Sequence, residues 1–255
     1  MKILYLNIWG GRAGQDKLIQ FVESLNDSVD VFCFQEIWSA PYEHCEGTLA
    51  GGSEINHENI MVESLQEIAK ILPDYEYFFH PHHLDNYGLM MLVRKDLDVK
   101  ESGDIFVHKE RGYVPDGDIG THARNIQYVT IERNNSTLTI INFHGLWNGK
   151  GKTDSEDRLK QSKNIIHFVK KLTGDTVLGG DFNLLPETES LRLFEIAGMK
   201  NLISDYDIKS TRTSFYKKEE KFADYVFVSE GVSVANFKVL QDEVSDHSPL
   251  LLEIK

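Results

Sequence analysis

The sequence predicts an α/β fold in which two mixed β-sheets pack face to face with helices outside, as a single domain over residues 1–255. Short apolar runs of strand length recur along the whole chain, and segments with a helical repeat separate several of them. The two halves follow a similar plan of strands and helices, which favours two sheets rather than one. The sequence contains no internal repeat, low-complexity tract or linker that would divide it.

The first half predicts a strand–helix–strand unit followed by further strands. Lys2 to Ile8 reads as a buried strand, Asp16 to Leu25 as a helix and Asp30 to Glu36 as a second strand, a pattern typical of a crossover connection. An irregular loop is expected over residues 39–54, and Ile55 to Leu72 predicts an amphipathic helix. The later segments are strands at Tyr75 to Phe79, Gly88 to Val93 and Val99 to Val107, and an exposed loop over 108–121.

The second half begins with two strands, Asn125 to Glu132 and Thr137 to Phe143, and predicts a hairpin turn at Asn134-Asn135 between them. The elements expected after this hairpin are a helix from Asp154 to Leu172, a strand from Thr176, a helix near Glu189 to Ala197, and strands at Phe222 to Val228, Val232 to Leu240 and Leu250 to Ile254. Strands therefore dominate both halves, and helices occupy the connections between them.

The composition is that of an ordinary globular protein, with 41% apolar and 26% charged residues. The net charge of -13 argues against a protein that coats nucleic acid through a broad basic face. It allows an enzyme that binds one or two phosphates locally, and the surplus of carboxylates is compatible with a divalent cation site.

Cysteine usage and hydropathy bear on location. Cys33 and Cys45 form neither a disulfide framework nor a zinc motif, which favours a reducing compartment. The apolar run at the N-terminus is too short for a signal peptide, and no run approaches transmembrane length. The expectation is a cytoplasmic protein without a stable membrane anchor, and the sequence indicates no protein partner.

The strand that begins at Thr176 ends in an unusual way. Its last residues are Gly179 and Gly180, and the polar side chains of Asp181 and Asn183 follow directly. Glycines allow a backbone or ligand to approach closely, and the Asp offers a base or a metal ligand. The same residue types also occur in ordinary turns, so this motif alone leaves both interpretations open.

Other predicted strands also begin or end at polar, chemically useful side chains. Ligands and catalytic groups tend to lie at strand ends, where side chains leave the core but stay rigidly held. Each position alone could be a strand end or a turn cap, but so many in one chain favour a common site. Carboxylates suit Mg²⁺ or Mn²⁺, and a histidine held by a carboxylate can donate to phosphate. The further positions are Asn7, Glu36, His144, Asp224, Asp246 and His247.

The order of these motifs closely resembles that of the endonuclease/exonuclease/phosphatase superfamily, and the resemblance spans essentially the whole chain. The most specific pair is Gly180-Asp181-Phe182-Asn183 followed by Ser245-Asp246-His247-Ser248-Pro249. The resemblance implies a four-layered α/β sandwich similar to deoxyribonuclease I. It also implies a metal-dependent hydrolysis of a P–O bond by direct in-line attack of water.

The resemblance also implies a metal site for Mg²⁺ or Mn²⁺. Glu36 matches the principal metal ligand, Asn7 matches the residue that orders the site, and Asp246 matches a further ligand.

The remaining matched positions imply the catalytic roles. Asp181 matches the general base or water-orienting group, with Asn183 beside it. His247 matches the histidine that hydrogen-bonds the scissile phosphate, and Asp224 the carboxylate that holds it. His144 lies where other members have a phosphate-contacting histidine or tyrosine.

Four further residues are candidates for substrate binding. The loop after His144 carries Trp147, Lys150 and Lys152, which could stack on a ring and contact phosphate. An ordinary surface loop is the alternative for this segment. Arg124 could also reach phosphate, and a surface ion pair is the alternative for that residue.

The motifs indicate the reaction more clearly than the substrate. The leading hypothesis is a nuclease acting on DNA or RNA. A phosphatase or phosphodiesterase for a lipid headgroup or other small phosphoester is the alternative, because Trp9-Gly10 and Gln35-Glu36-Ile37-Trp38 are similar to neutral sphingomyelinases. A third hypothesis, a binding relative without activity, is disfavoured because every catalytic residue type is present.

Overall fold

Within residues 1–50, 53–133 and 136–255, which this computed structural model describes, the chain forms two six-stranded mixed sheets with helices on their outer faces. In chain order the strands are β1 (Lys2–Asn7), β2 (Val31–Trp38), β3 (Leu49–Ala50), β4 (Ser53–Glu54), β5 (Tyr75–His83), β6 (Tyr87–Arg94), β7 (Val99–His108), β8 (Arg124–Arg133), β9 (Ser136–His144), β10 (Asp175–Asp181), β11 (Lys200–Asn201), β12 (Asp224–Val228), β13 (Val234–Val239) and β14 (Leu250–Ile254). The α-helices are α1 (Gln15–Ser24), α2 (Ser64–Ile71), α3 (Glu156–Val169), α4 (Glu189–Ile196) and α5 (Leu202–Asp205).

The strand order is β13-β14-β1-β2-β6-β5 in the first sheet and β11-β12-β10-β9-β8-β7 in the second. Each sheet has one parallel pair at its centre, β1 with β2 and β10 with β9, and these pairs bring strand ends together. Asn7 pairs with Gln35 in the first sheet, and Asp181 pairs with His144 in the second. The strand order therefore gathers the predicted polar strand ends at one edge of each sheet.

The first strand shows why the sheet is buried on both faces. Ile3 and Tyr5 belong to the core shared with the second sheet, whereas Leu4 and Leu6 belong to the core under α1 and α2. A strand with two buried faces reads as a continuous apolar run. Helices α3 and α4 cover the second sheet, so the expected four-layered sandwich and the β1–α1–β2 crossover are confirmed.

A buried polar contact joins the two sheets below the site. The Gln35 side chain donates from Nε2 to Asn142 Oδ1 at 2.6 Å, and Asn142 donates from Nδ2 to the Phe34 carbonyl at 3.0 Å. Both side chains are fully buried, where a polar group requires partners. This contact connects β2 to β9 just before Glu36, which lies inside β2, and just before His144, which ends β9.

The prediction of one helix from Ile55 to Leu72 is wrong in its first half, because α2 begins only at Ser64. A short 3₁₀ turn forms at His57–Asn59 instead, and the Asn56 side chain caps it. The predicted turn at Asn134-Asn135 lies outside the described residues. No helix in the described part of the chain is both long and apolar enough to cross a membrane.

Candidate active site

The side chain of Asn7 joins carboxylates from both sheets. Its Nδ2 donates to Glu36 Oε1 at 3.1 Å and to Asp181 Oδ2 at 3.0 Å. Its Oδ1 accepts the Trp9 backbone N–H at 2.9 Å, which fixes the orientation of the amide. One fully buried amide at the end of β1 therefore sets the positions of two carboxylates that are far apart in sequence.

Local backbone irregularities direct two of these side chains. The pairing of β2 with β6 shifts register between Phe34 and Ile37, and Glu36 has a φ of 61°. Such a bulge turns a side chain away from the regular alternation of a strand. Gly180 has a φ of 132°, and a Cβ there would collide with the Phe143 carbonyl oxygen. The close backbone approach that the glycine pair suggested is therefore present at Gly180.

His247 and Asp224 form a buried pair that faces the same hollow. His247 Nδ1 lies 2.8 and 2.9 Å from the two Asp224 oxygens, and since a carboxylate only accepts, Nδ1 carries the proton. Burial lowers the pKa of His247 and raises the pKa of Asp224. The other ring nitrogen, Nε2, lies 3.6 Å from Asp181 Oδ2 and 3.6 Å from Asp246 Oδ1.

His144 approaches the same carboxylates from the opposite side. Its Nδ1 lies 3.3 Å from Arg124 NH1, and because a guanidinium only donates, the proton of neutral His144 is on Nε2. That nitrogen is 3.6 Å from Asp181 Oδ2 and 4.0 Å from Glu36 Oε1. Burial, followed by the Arg124 charge, lowers the pKa of His144. Arg124 is itself only 2% exposed, so its interpretation as a surface ion pair is wrong.

The donor set fits a hard divalent cation. Asp246 Oδ2 accepts from Arg212 at 2.9 Å, whereas Asp246 Oδ1 is buried and has no hydrogen-bond partner among the described residues. Burial raises the pKa of Asp246 and of Glu36, so the charged form of each carboxylate is less favourable here than in water. Carboxylate oxygens are the ligands that Mg²⁺ and Mn²⁺ prefer, and a cation here would compensate the buried negative charge.

A second grouping, Asp181, Asp224 and His247, has ligand atoms within 4.8 Å of one another. In that group, however, His247 Nδ1 already donates to Asp224. This bond commits His247 Nδ1 and the Asp224 carboxylate to each other, and it leaves only His247 Nε2 and Asp181 of this group facing the hollow. Glu36, which Asn7 holds in place, and the unpartnered oxygen of Asp246 offer further oxygen atoms to a cation.

A cavity of about 690 Å³ surrounds these groups, and Trp147 lies in its wall. The Trp147 side chain is half-buried, and the Lys218 ammonium lies 5.4 Å from its ring centroid. Lys150 is exposed and is not among the described residues that line the cavity. The loop after His144 therefore contributes its aromatic side chain to the cavity, but not its first lysine.

Lys152 lines the cavity as a buried cation. Its Nζ donates to the Phe222 carbonyl at 3.1 Å and lies 4.7 Å over the Tyr216 ring. Burial, followed by the Arg212 charge, lowers the pKa of Lys152 to about 8. The Arg212 guanidinium stacks on the same ring at 4.1 Å, so two cations share one aromatic side chain beside the site.

The sequence interpretation missed a group of rings next to His144. The His82 ring lies 5.9 Å from His144, and His122 stacks between His82 and His83 at 4.8 and 4.9 Å. All three histidines are buried. The available signal was the cluster of His80, His82 and His83 directly after the predicted strand Tyr75 to Phe79, which the structure extends as β5 to His83.

The chain is similar to known proteins both in sequence and in fold. The model of the Endonuclease/Exonuclease/phosphatase family matches residues 4–247. A UPF0294 protein of Vibrio parahaemolyticus is 27% identical over 123 residues, which are 47% of this chain and 40% of that protein. The chain thus spans less than half the length of this curated relative.

Several solved structures have the same fold. A mannosyl-6-phosphatase of Bacteroides thetaiotaomicron superposes with a TM-score of 0.77 at 17% identity, covering 100% of this chain and 99% of that one. TDP2 of D. rerio with a single strand DNA product superposes with a TM-score of 0.70 at 16% identity, covering 100% and 98%. A family protein of Leptotrichia buccalis gives 0.71 at 19% identity, covering 100% and 99%.

At these identities the solved structures establish the fold, and the sequence model establishes the family. Proteins of this family hydrolyse phosphoesters, and the convergence of buried carboxylates and histidines suits that chemistry. By its match over residues 4–247 and by its fold, the chain belongs to the endonuclease/exonuclease/phosphatase family.

Proposed function

We propose that this protein is a divalent-metal-dependent phosphodiesterase of the cytoplasm that acts on DNA or RNA by direct in-line attack of water. The observation that carries the proposal is the bridge from Asn7 to Glu36 and Asp181, with His247 facing the same hollow. Carboxylates of both sheets and a histidine pair meet there in a cavity large enough for a phosphoester.

Glu36 and Asp246 would hold Mg²⁺ or Mn²⁺, and Asn7 would keep Glu36 in position. The bound cation would supply charge neutralisation at the phosphate and leaving-group oxygens. Glu36 has the left-handed backbone that turns it toward the hollow, and Asp246 has the unpartnered oxygen.

Asp181 acts as the general base toward the attacking water. Its Oδ1 accepts the Asn183 backbone N–H at 2.8 Å and its Oδ2 accepts from Asn7, so both oxygens are held in place. The water oxygen forms a bond to phosphorus, the bond to the leaving oxygen breaks, and the water proton passes to Asp181. The Asn183 side chain donates from Nδ2 to the Gly145 carbonyl at 3.3 Å, which holds the loop after β10 so that the Asn183 backbone N–H orients Asp181.

His144 and His247 hold the phosphate. His144 donates from Nε2, because its Nδ1 accepts from Arg124. His247 donates from Nε2 once the phosphate charge raises its pKa, and Asp224 stabilises the imidazolium through Nδ1. Both donors flank Asp181 at 3.6 Å, so the scissile phosphate would lie between them.

Nucleic acid is the preferred substrate because cations and aromatic rings line the cavity. This local positive charge contrasts with the net charge of -13 for the whole protein. Trp147 would stack on a base, and Lys152 and Arg212 would contact phosphate. Arg124 would contact the scissile phosphate beside His144. The TDP2 structure with a single strand DNA product supports this choice, since it has the same fold.

A small phosphoester, including a lipid headgroup, is the second candidate. The cavity of about 690 Å³ is within the size range of small-molecule sites. The mannosyl-6-phosphatase with the same fold supports this candidate.

The test is a panel of single-stranded DNA, RNA, sphingomyelin, mannose 6-phosphate and bis(p-nitrophenyl) phosphate, each with Mg²⁺, Mn²⁺ or EDTA. We expect metal-dependent cleavage of a polynucleotide, and a loss of about 10²–10⁴-fold in kcat for Asp181→Asn. A charge-matched control is Asp205→Asn, which changes an exposed carboxylate of α5. Turnover confined to the small esters would select the second candidate, and equal turnover in EDTA would refute the metal mechanism.

A further inference from the structure

The strand order gives the cavity two ends. The central strands β1, β2, β9 and β10 carry Asn7, Glu36, His144 and Asp181. Strands β5, β6 and β8 lie to one side of these central strands, and β12 and β14 lie to the other. Cavity residues from the two sides therefore meet a substrate on opposite flanks of the reacting phosphate.

The end beside β5, β6 and β8 is lined by uncharged rings. Tyr87 packs at 4.9 Å from Trp38 and at 5.6 Å from His122, and His122 stacks on His83 at 4.9 Å. Burial is the main cause that lowers the pKa of both His83 and His122, and the pKa of His83 falls to about 4. Both side chains are therefore neutral at pH 7. Arg124, whose guanidinium contacts His144, marks the boundary of this neutral end with the reaction centre.

The neutral end is also closed. The segment after β2 carries β3, and β3 packs against the short 3₁₀ helix Ile119–Thr121 that precedes β8. Ile55 belongs to the same apolar cluster as Trp38, with Ile119 packed against that cluster. Connections from the two different sheets thus meet over this end, and Ala50, Ile55 and Ile119 line the cavity there as a wall.

The end beside β12 and β14 is basic and open. Arg212 and Lys152 share the ring of Tyr216, and the exposed Lys217 and Lys218 lie at the rim. This end therefore combines rings with positive charge and a solvent-exposed rim, whereas the neutral end offers uncharged rings and a wall. A substrate that fits both must be asymmetric about the phosphate.

We propose that the neutral end holds a single terminal unit of the substrate, and that the protein hydrolyses the phosphoester next to that unit rather than bonds inside a chain. The proposal rests on the proposed function. Water adds to the phosphorus, the P–O bond breaks, and the leaving oxygen takes a proton, so the terminal unit is released from the anionic remainder. The remainder lies over Lys152 and Arg212 and leaves the cavity at the rim.

The test compares a linear single-stranded DNA oligonucleotide with a covalently closed circle of the same sequence, beside the p-nitrophenyl ester of thymidine 5′-phosphate. We expect the linear strand to shorten from an end and the circle to react at least 100-fold more slowly. Cleavage of the circle at a comparable rate would overturn the proposal.

The small ester separates this proposal from the proposed function. If the small ester is hydrolysed and neither oligonucleotide is, the result supports a site for one terminal unit, and the assignment of nucleic acid as the substrate fails. If no phosphoester is turned over with any metal, the proposed function fails, and this inference fails with it.

A variant tests the closed end directly. Ile119→Trp adds bulk at a partly buried position of the wall, and we expect kcat/KM for the small ester to fall at least tenfold. Ile196→Trp makes the same change at a side chain that is 69% exposed on α4 and serves as the matched control. Unchanged kcat/KM in a folded Ile119→Trp protein, verified by its thermal unfolding, would contradict the proposal.

Discussion

At the residue scale, the site contains backbone conformations that ordinary residues avoid. Trp9, Glu36 and Asn183 have φ values of 52°, 61° and 55°. Such residues cost about 1–3 kcal/mol each and persist where their surroundings hold them. Here the surroundings are side chains of the proposed active site, because Asn7 accepts the Trp9 N–H and Asp181 accepts the Asn183 N–H. The same two side chains thus support the loop geometry and have roles in the proposed chemistry.

The buried carboxylates lead to a prediction about stability. Burial raises the pKa of Glu36 in the folded state, so ionisation of Glu36 lowers the free energy of unfolding. This destabilisation is fully present at a pH above the folded-state pKa. Glu36→Gln should therefore raise the melting temperature in EDTA at pH 7. The expected rise is about 2–4 °C for each kcal/mol that the substitution adds to the free energy of unfolding. The same variant should lose the stabilisation that Mg²⁺ or Mn²⁺ gives the unmodified protein.

Thermal unfolding with and without metal measures both effects. Glu23→Gln, at an exposed position of α1, is the matched control and should keep the metal-induced shift. A Glu36→Gln protein with a full metal-induced shift would show that Glu36 is not a ligand.

At the element scale, α3 holds the loop that carries Trp147 and Lys152. Arg158 lies in the first turns of α3 and is only 1% exposed. Its guanidinium donates to the carbonyls of Leu146, at 3.2 and 3.3 Å, and of Gly151, at 2.8 Å. A planar guanidinium can reach several carbonyls at once, which a lysine ammonium on a flexible stem cannot reproduce.

This arrangement predicts that Arg158→Lys will affect binding more than chemistry. We expect KM for the oligonucleotide to rise about tenfold, equivalent to about 1.4 kcal/mol, while kcat changes little. The reason is that Asp181 and His247 are held from other elements. Steady-state kinetics measure the split, and Lys163→Ala on the exposed face of α3 is the control. An equal fall in kcat with unchanged KM would exclude a positioning role for the loop.

At the scale of the whole molecule, the distance between the sheets depends on one glycine. Gly179 in β10 faces Tyr5 of β1, and a Cβ at Gly179 would lie 2.7 Å from the Tyr5 ring. Tyr5 belongs to the core between the sheets, and the close packing of protein interiors makes such a contact costly. A small residue at this point allows the sheets to approach closely enough for Asn7 to reach Asp181.

Gly179→Ala should therefore destabilise the protein by about 1–3 kcal/mol through overpacking. Tyr5→Leu removes the ring, so the double variant should recover part of that loss. A double-mutant cycle of urea unfolding measures the coupling, and additive effects of the two changes would show that this contact does not limit the packing.

The sequence by itself determined the layered architecture, since apolar runs and helical repeats report burial on two faces or one. It also identified, through the resemblance, the residues that end the central strands. The structure brings Asn7, Glu36, Asp181 and His247 together as expected, whereas Lys150 lies outside the cavity lining of the described residues.

Only the tertiary structure decided how the cavity is built around those strand ends. Arg124 is buried against His144, the histidines of β5 and the loop before β8 stack into a wall, and α2 starts nine residues later than its apolar pattern suggests. These features arise from contacts between segments that are distant in sequence. Local periodicity reports which face of an element is buried, but it does not report which partner buries it.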